Sequence, residues 1–187
     1  MINMYYNIKD LCKAYKEGKK LKYIFFWSHR PKRMGIIDQS CFSQWWESSF
    51  TVENIKYQSA EHWMMAEKAK LFNDEKMFKK IINASSPAFA KKLGSQIEKF
   101  DEKTWDKHKF DIVIKGNFYK FSQNKSLKEY LINTGQRVLA EASPIDKIWG
   151  IGLSKDNKNI ENPLLWEGKN LLGFAIMKAR EQIIRGI

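Results

Sequence analysis

Two ionisable side chains, Glu61 and Lys68, stand seven residues apart in a stretch that the sequence predicts to be helical. Ser59 is a favourable N-cap residue, and neither Gly nor Pro follows until beyond Phe72, so we expect a helix from about Ala60. At about 100° per residue, both charges fall on the same arc as the apolar residues, roughly 10 Å apart along the axis. The pattern therefore predicts two charges on the face that meets the core.

A charge that faces a packed core is costly unless it is paired or used in chemistry. One interpretation is that Glu61 only complements the positive end of the helix dipole while Lys68 extends to solvent. The other is that Glu61 is a carboxylate at the floor of a cleft, where it acts as a general base or stabilises a developing cation. The helical pattern alone does not choose between them.

A second acidic candidate, Asp146, lies in the turn-rich segment of residues 143–152. This segment follows residues 138–142, which we predict to be a central strand, and functional groups gather in loops at strand ends. An Asp after Ser-Pro is also a common structural turn residue, so both interpretations stay open.

Other catalytic patterns are absent from the sequence. The three histidines are far apart, and the two cysteines, Cys12 and Cys41, add neither ligand spacing nor a disulfide framework. Residues 168–170 do not complete a Walker A motif, and residues 149–152 hold only part of a dinucleotide fingerprint. We therefore predict no metal site and no cofactor, and carboxylate chemistry is what remains.

The composition restricts the class of protein. The chain has 187 residues, enough for one domain with a buried core, and 43% of them are hydrophobic. No apolar stretch approaches the roughly 18 residues of a membrane-spanning helix, and residues 1–6 lack a secretory pattern, so we expect a cytoplasmic protein. The formal net charge of +12 favours anionic partners, which include phosphorylated metabolites, nucleotides and nucleic acid.

The remaining elements are mostly helical. Residues 22–27 predict a strand that is buried on both sides at its end. Residues 28–33 form a basic loop after it, for which a solvated turn and a phosphate contact both stay open. A short hairpin that turns at residues 53–54 leads into the helix described above. We therefore predict an α+β fold, with one mostly helical domain around a small β-sheet.

Short motifs in a fixed order, spread from about Ile24 to Ile184, indicate a family. They are Phe26-Trp27-Ser28, Phe42-Ser43-Gln44-Trp45, Ser59-Ala60-Glu61-His62-Trp63 with Lys68, Ser86-Pro87, Trp105, Lys120-Phe121 with Asn124, Asp146-Lys147-Ile148-Trp149-Gly150, and Asn170-Leu171-Leu172-Gly173 with Arg180-Glu181. In these motifs the chain resembles the YbiA-like NADAR proteins, named for an association with NAD and ADP-ribose metabolism. Gln44 departs from the usual Asn of that family.

The resemblance implies an N-glycosidase that hydrolyses a ribose C1–N bond without a metal. Some family members act on phosphoribosylamino-pyrimidine intermediates early in riboflavin synthesis, and others remove ADP-ribose from guanine in DNA. A non-catalytic module that binds ADP-ribose is the alternative. The resemblance also implies that residues 21–187 are the catalytic domain and residues 1–20 an N-terminal helical extension. The expected partners are a phosphorylated ribosyl metabolite or ADP-ribosylated nucleic acid, with no membrane and no obligate protein partner.

The family's functional Glu, Trp and Asp map onto Glu61, Trp105 and Asp146. Cleavage of a ribose C1–N bond passes through an oxocarbenium-like transition state, which a fixed carboxylate stabilises more than the neutral ground state. We assign that role and the activation of water to Glu61, and we expect Asp146 to hold ribose hydroxyls or share the water. We expect Trp105 and Trp149 to bound the pocket and stack on the sugar or base. The candidate phosphate ligands are Lys68 and Arg30, and the other expected substrate-binding residues are Phe26, Trp27, Ser28 and Ser43.

Overall fold

The structure, a computed structural model, describes residues 5–187, so the first four residues of the predicted N-terminal extension lie outside it. The described residues form seven α-helices and four short strands, and the strands make two separate two-stranded sheets. The predicted α+β fold, mostly helical with little β-structure, is confirmed. Two compact units divide the chain: one holds the segments up to Ser43 and from Glu129 onward, and the other is Gln44–Lys128. The boundary at residue 20 stays a prediction.

The first unit contains the only parallel strand pair among the described residues. Strand β1 (Tyr23–Phe26) pairs with β4 (Val138–Glu141), with Tyr23 opposite Val138 and Phe26 opposite Glu141. Because β4 has one strand neighbour, the prediction of a central strand at residues 138–142 is wrong. Trp27, just beyond β1, is 54% exposed, so the prediction that this strand is buried on both sides at its end is also wrong there.

Asn170 covers the open side of β4. Its side-chain oxygen accepts the Glu141 N–H at 3.0 Å, and its side-chain nitrogen donates to the Leu139 carbonyl at 2.9 Å. The amide thus supplies bonds that a neighbouring strand would otherwise make. Helix α7 (Leu171–Arg185) follows directly, and Gly173 lets it lie against β4, because a Cβ there would collide with the Leu139 carbonyl.

Helix α1 completes the first unit near the N-terminus. It spans Ile8–Lys16, is capped by Asn7, and contacts the 3-10 turn at Pro163–Leu165. None of the helices in the described part of the chain is both long enough and apolar enough to cross a membrane. Helix α6 (Lys125–Asn133) precedes β4 in the chain.

The second unit surrounds the helix that carries Glu61. The helices are α2 (Ala60–Leu71), α3 (Glu75–Ile82), α4 (Pro87–Gly94) and α5 (Glu102–Gln123), and α2 contacts each of the other three. Strands β2 (Phe50–Val52) and β3 (Ile55–Tyr57) form the predicted hairpin. Its turn residues Glu53 and Asn54 have φ angles of 49° and 65°, which suit a tight two-residue turn.

Helix α2 is buried on every side over its first two turns. All residues from Ala60 to Ala66 are buried, so a single apolar arc does not describe this helix. Two glycines explain the enclosure: a Cβ at Gly94 would collide with the Met65 side chain, and one at Gly116 with the Trp63 indole. Helices α4 and α5 therefore both approach α2 closely, and they enclose its N-terminal half.

Candidate active site

Glu61 lies in the first turn of α2 and is only 3% exposed. Ser59 sets the start of this turn, because its hydroxyl accepts the His62 N–H, and the Glu61 N–H donates to the Gln44 carbonyl at 3.0 Å. The unsatisfied N–H groups and the dipole at this end of a helix favour an ionised carboxylate. Glu61 is thus a buried carboxylate rather than a surface charge, and its role as a functional acid stays a prediction.

Gln44 is held beside this turn by a buried amide on α5. Asn117 is 0% exposed, and its side-chain nitrogen donates to the Val113 carbonyl at 2.8 Å and to the Gln44 side-chain oxygen at 3.0 Å. These bonds define both amide orientations, since reversing Asn117 would bring two oxygens together. The sequence does not point to Asn117, because an isolated polar residue inside a long helix gives no sign of what it contacts.

Lys68 and Trp105, two of the predicted site residues, lie together at the far end of α2. The Lys68 ammonium is 4.2 Å from the centroid of the Phe100 ring and 5.6 Å from that of Trp105, and it donates to the Gly94 carbonyl at 3.0 Å. Burial lowers the pKa of Lys68, and no carboxylate among the described residues lies within ion-pair distance of it. The charge therefore sits in a partly aromatic setting, where cation–π contact offsets some of the lost hydration.

His62, next to the candidate acid, has a structural position. It is 0% exposed, its Nδ1 lies 2.8 Å from the Ser59 hydroxyl, and its Nε2 lies 3.1 Å from the Ala84 carbonyl. A carbonyl only accepts, so Nε2 carries the proton and Nδ1 accepts from the hydroxyl. Burial lowers the pKa of His62, in agreement with a neutral ring that links α2 to the segment before α4.

In the first unit, the carboxyl ends of β1 and β4 bring the other candidates together. The two strands are parallel, so the chain leaves both at the same edge, and the Ala142 N–H extends the pairing to the Phe26 carbonyl at 2.7 Å. Phe26 ends β1, and the loops that follow the two strands carry the other predicted site residues of this unit except Ser43. We call these residues the strand-end cluster: Phe26, Trp27, Ser28, Arg30, Asp146 and Trp149.

Asp146 is a turn residue, and only one of its two carboxylate oxygens takes part in the turn. Its Oδ1 accepts the N–H groups of Ile148 at 2.9 Å and Trp149 at 2.7 Å, and its own N–H donates to the Ser143 hydroxyl at 3.1 Å. Its Oδ2 accepts no hydrogen bond from the residues that the structure describes. The structural turn and the functional interpretation are therefore compatible, because the turn uses one oxygen and orients the other.

The loop that carries Trp149 is anchored on the start of α7. The N–H groups of Leu171 and Leu172 donate to the carbonyls of Ile148 and Trp149 at 3.2 and 3.1 Å. These are first-turn N–H groups that no intrahelical carbonyl can satisfy. The same bonds hold the backbone of Trp149 in place and leave its indole partly exposed.

The basic loop after β1 is open to solvent. Arg30 and Ser28 are both exposed, and the Arg30 N–H donates to the Ser28 hydroxyl at 3.0 Å. Ser43 differs, because it is buried at the end of a 3-10 turn and its N–H donates to the Ser40 carbonyl at 3.1 Å. The predicted phosphate contact of Arg30 stays a prediction.

Comparison with known proteins identifies the family. The sequence profile of the NADAR domain matches residues 25–184, most of the chain. The chain belongs to the NADAR family. The resemblance seen in its motifs is thereby confirmed.

Several relatives of this NADAR chain are named N-glycosidases. It is 47% identical over 168 residues to N-glycosidase R617 of Acanthamoeba polyphaga mimivirus, and the alignment covers 86% of this chain and 96% of that protein. It is 31% identical over 146 residues to N-glycosidase YbiA of Escherichia coli (strain K12), which covers 78% and 81% respectively. The NMR structure of E. coli YbiA matches with a TM-score of 0.69 at 27% identity, over 88% of this chain and 86% of that one.

Within residues 5–187 of the NADAR chain, no group of three or more His, Cys, Asp or Glu side chains is placed to hold a metal ion. The expectation that the chain works without a metal stays a prediction.

The candidate residues fall into two sets by unit: Glu61, Lys68 and Trp105 in the second, and the strand-end cluster with Ser43 in the first.

Proposed function

We propose that this NADAR protein is an N-glycosidase that hydrolyses the C1–N bond of a ribosyl substrate. One observation carries the proposal: Glu61 is a carboxylate with 3% exposure in the first turn of α2, in a chain whose relatives are named N-glycosidases. A preorganised negative charge in a protein interior, where the dielectric is low, acts strongly on a cation that forms beside it.

The chemistry assigned to Glu61 follows from this charge. As the C1–N bond breaks, its electron pair leaves with the nitrogen and positive charge develops on C1 and the ring oxygen. The carboxylate stabilises that charge and accepts a proton from water, whose oxygen forms the new bond to C1. The proton then passes to the leaving nitrogen, so Glu61 ends ionised and the products are the free base and the sugar.

Asp146 is assigned to the sugar. Its Oδ1 is occupied by two backbone N–H groups, and Oδ2 remains to accept hydrogen bonds from ribose hydroxyls or to share the attacking water. An acceptor whose orientation is already set loses little conformational entropy when substrate binds, which favours precise positioning of C1. Trp149, anchored through its backbone, would bound the sugar or base by stacking.

A phosphate group on the substrate is assigned to Lys68. Its ammonium has no carboxylate partner among the described residues, and it lies against Phe100 and Trp105, which are flat surfaces suited to a sugar or base. An ammonium that is partly removed from water attracts a phosphate more strongly than one on the open surface. Arg30 is the second candidate, on an exposed loop.

Two substrate classes satisfy this chemistry. The first is a phosphoribosylamino-pyrimidine of the kind formed early in riboflavin synthesis, and the second is guanine in DNA that carries ADP-ribose. The net charge of +12 favours the nucleic acid, although a phosphorylated metabolite also attracts cations. The buried acid at Glu61 favours catalysis over the alternative, a non-catalytic module that binds ADP-ribose.

A substrate panel tests the proposal. Purified protein and Glu61→Gln are incubated with a phosphoribosylamino-pyrimidine and with ADP-ribosylated DNA, and the released base and released ADP-ribose are quantified by chromatography. We expect turnover of one class by the wild type and turnover about 10³-fold slower by the variant. Binding of ADP-ribose with no turnover of either class would contradict the proposal and favour the non-catalytic module.

A further inference from the structure

A groove with basic walls lies at the amino ends of β1 and β4. The Val138 N–H donates to the Lys22 carbonyl at 2.8 Å, so the chain segments that enter the two strands run side by side. Residues 19–22 and 134–138 line a groove of about 540 Å³ together with Tyr5. The two strands are parallel, so the strand-end cluster lies at their opposite edge, roughly 13 Å away at about 3.3 Å per residue.

The walls of this groove carry one sign of charge. Its cationic lining residues are Lys19, Lys20, Lys22 and Arg137, and none of the lining residues is a carboxylate. Lys19 is 3.3 Å from Glu17, but both side chains are well exposed, so water weakens this pair. Lys20 and Lys22 are exposed and make no ion pair with the described residues.

A further positive charge lies beneath the groove. Arg180 of α7 is 3% exposed, and its guanidinium donates to the Thr134 hydroxyl at 2.6 Å and to the Arg137 carbonyl at 3.1 Å. Burial lowers its pKa to about 10, so it stays protonated at neutral pH. No carboxylate among the described residues is within ion-pair distance of Arg180. Its charge therefore adds to that of the lysines above it, and an anion in the groove would lower the cost of burying it.

We propose that this groove binds the phosphodiester backbone of a single-stranded nucleic acid. Several separate cations spread over two chain segments suit successive phosphates along a strand, whereas a single phosphate needs donors that converge on one point. The groove lies away from the strand-end cluster, so it contributes affinity rather than chemistry. This inference does not depend on the proposed activity, because binding is measured without turnover.

The test compares two double variants with the same loss of charge. Lys20→Gln with Lys22→Gln removes two cations from the groove, and Lys79→Gln with Lys80→Gln removes two exposed cations from α3 in the other unit. Binding of a fluorescent single-stranded DNA of about 20 nucleotides is followed by anisotropy over a series of salt concentrations.

We expect the groove variant to bind about tenfold more weakly. The slope of the logarithm of the binding constant against the logarithm of the salt concentration should also be less steep by about 1.4, since each lost contact to a single strand contributes about 0.7. The α3 variant should bind like the wild type. Equal weakening of both variants, or no binding by the wild type, overturns the proposal. Displacement of the DNA by millimolar inorganic phosphate at constant ionic strength also overturns it, because it indicates a small-anion site.

A further variant separates this proposal from the proposed function. Glu61→Gln should bind the DNA as the wild type does, even though turnover is lost. Conversely, the groove variant should hydrolyse a small ribosyl substrate at the wild-type rate. If the protein hydrolyses no substrate but binds DNA through the groove, only the proposed function fails.

Discussion

The Oδ1 atom of Asp146 accepts the backbone N–H of Trp149 at 2.7 Å, so two residues predicted to contact substrate are joined directly. The same oxygen accepts the N–H of Ile148, which fixes the Asp146 carboxylate against the backbone of the turn. An Asx turn of this kind is common in proteins without any catalytic role. In Asp146, one carboxylate oxygen shapes the turn and the other is available to substrate, so substitutions can test the two roles separately.

Asp146→Asn should keep the turn and lose part of the activity. The amide oxygen can still accept both backbone N–H groups, while the negative charge at Oδ2 disappears. We expect an unchanged melting temperature and a rate of base release lowered about 10- to 100-fold, measured in single turnover. Asp146→Ala removes both oxygens and should also lower stability, by about 1 kcal/mol or more. If Asp146→Asn released base at the wild-type rate, Asp146 would not be part of the active site.

Glu61→Gln should fold normally and lose turnover. The substitution preserves shape and removes the charge that opposes the developing cation, so we expect kcat to fall about 10³-fold, equivalent to ~4 kcal/mol. Substrate binding, measured by calorimetry, should remain close to that of the wild type. Glu75→Gln is the matched control, because Glu75 also stands in the first turn of a helix but is exposed. Retained activity in Glu61→Gln would reject the assignment.

Lys68→Met tests the phosphate assignment. Methionine keeps an apolar stem against Phe100 and Trp105 and removes only the ammonium. We expect KM to rise about tenfold for a phosphorylated substrate with little change in kcat, because the lost contact is the same in ground and transition states. The dephosphorylated substrate should show no such change. Lys70→Met is the control, since its ammonium pairs with Glu67 at 2.8 Å; an equal rise in KM there would indicate a general charge effect.

Gly116→Ala should destabilise the protein even though alanine favours helices. Intrinsic propensity alone would add about 1 kcal/mol of stability. The new Cβ would collide with the Trp63 ring, which is held by a 2.8 Å bond from its Nε1 to the Ile112 carbonyl. We expect a net loss of about 1–3 kcal/mol in the free energy of unfolding, measured by urea denaturation. Lys115→Ala on the exposed face should change it by less than about 0.5 kcal/mol, and a stabilised Gly116→Ala would contradict the packing.

His62 should make the protein less stable below its ordinary pKa of 6.5. Burial lowers the pKa of the folded ring, so below 6.5 the unfolded chain holds a proton at this residue that the folded protein does not. The unfolded state then binds more protons, and the free energy of unfolding falls as pH drops; the contribution is fully present above about pH 7.5. Urea denaturation from pH 5 to 8 measures this fall. His62→Gln, which cannot titrate, should lose less stability over that range. If the free energy of unfolding fell equally with pH in both proteins, His62 would not be the cause of the pH dependence.

Much of the local structure could be predicted from the sequence because its causes are local. Ser59 and Asn7 cap their helices with their own side chains, and Glu53 and Asn54 turn the hairpin. The predicted central strand failed for the opposite reason. Residues 138–142 are as apolar as a strand with two neighbours, but the second neighbour is the Asn170 side chain, which comes from far along the chain.

The sequence by itself determined the family, the helices and the identity of the candidate acids, because motif order, caps and periodicity are written in neighbouring residues. Only the tertiary structure decided that Glu61 is enclosed, that Lys68 lies against Phe100, and that Asp146 has one oxygen to spare. Burial and contact depend on residues distant in the chain and on the close approach of helices at glycines. That information arises only when the elements pack.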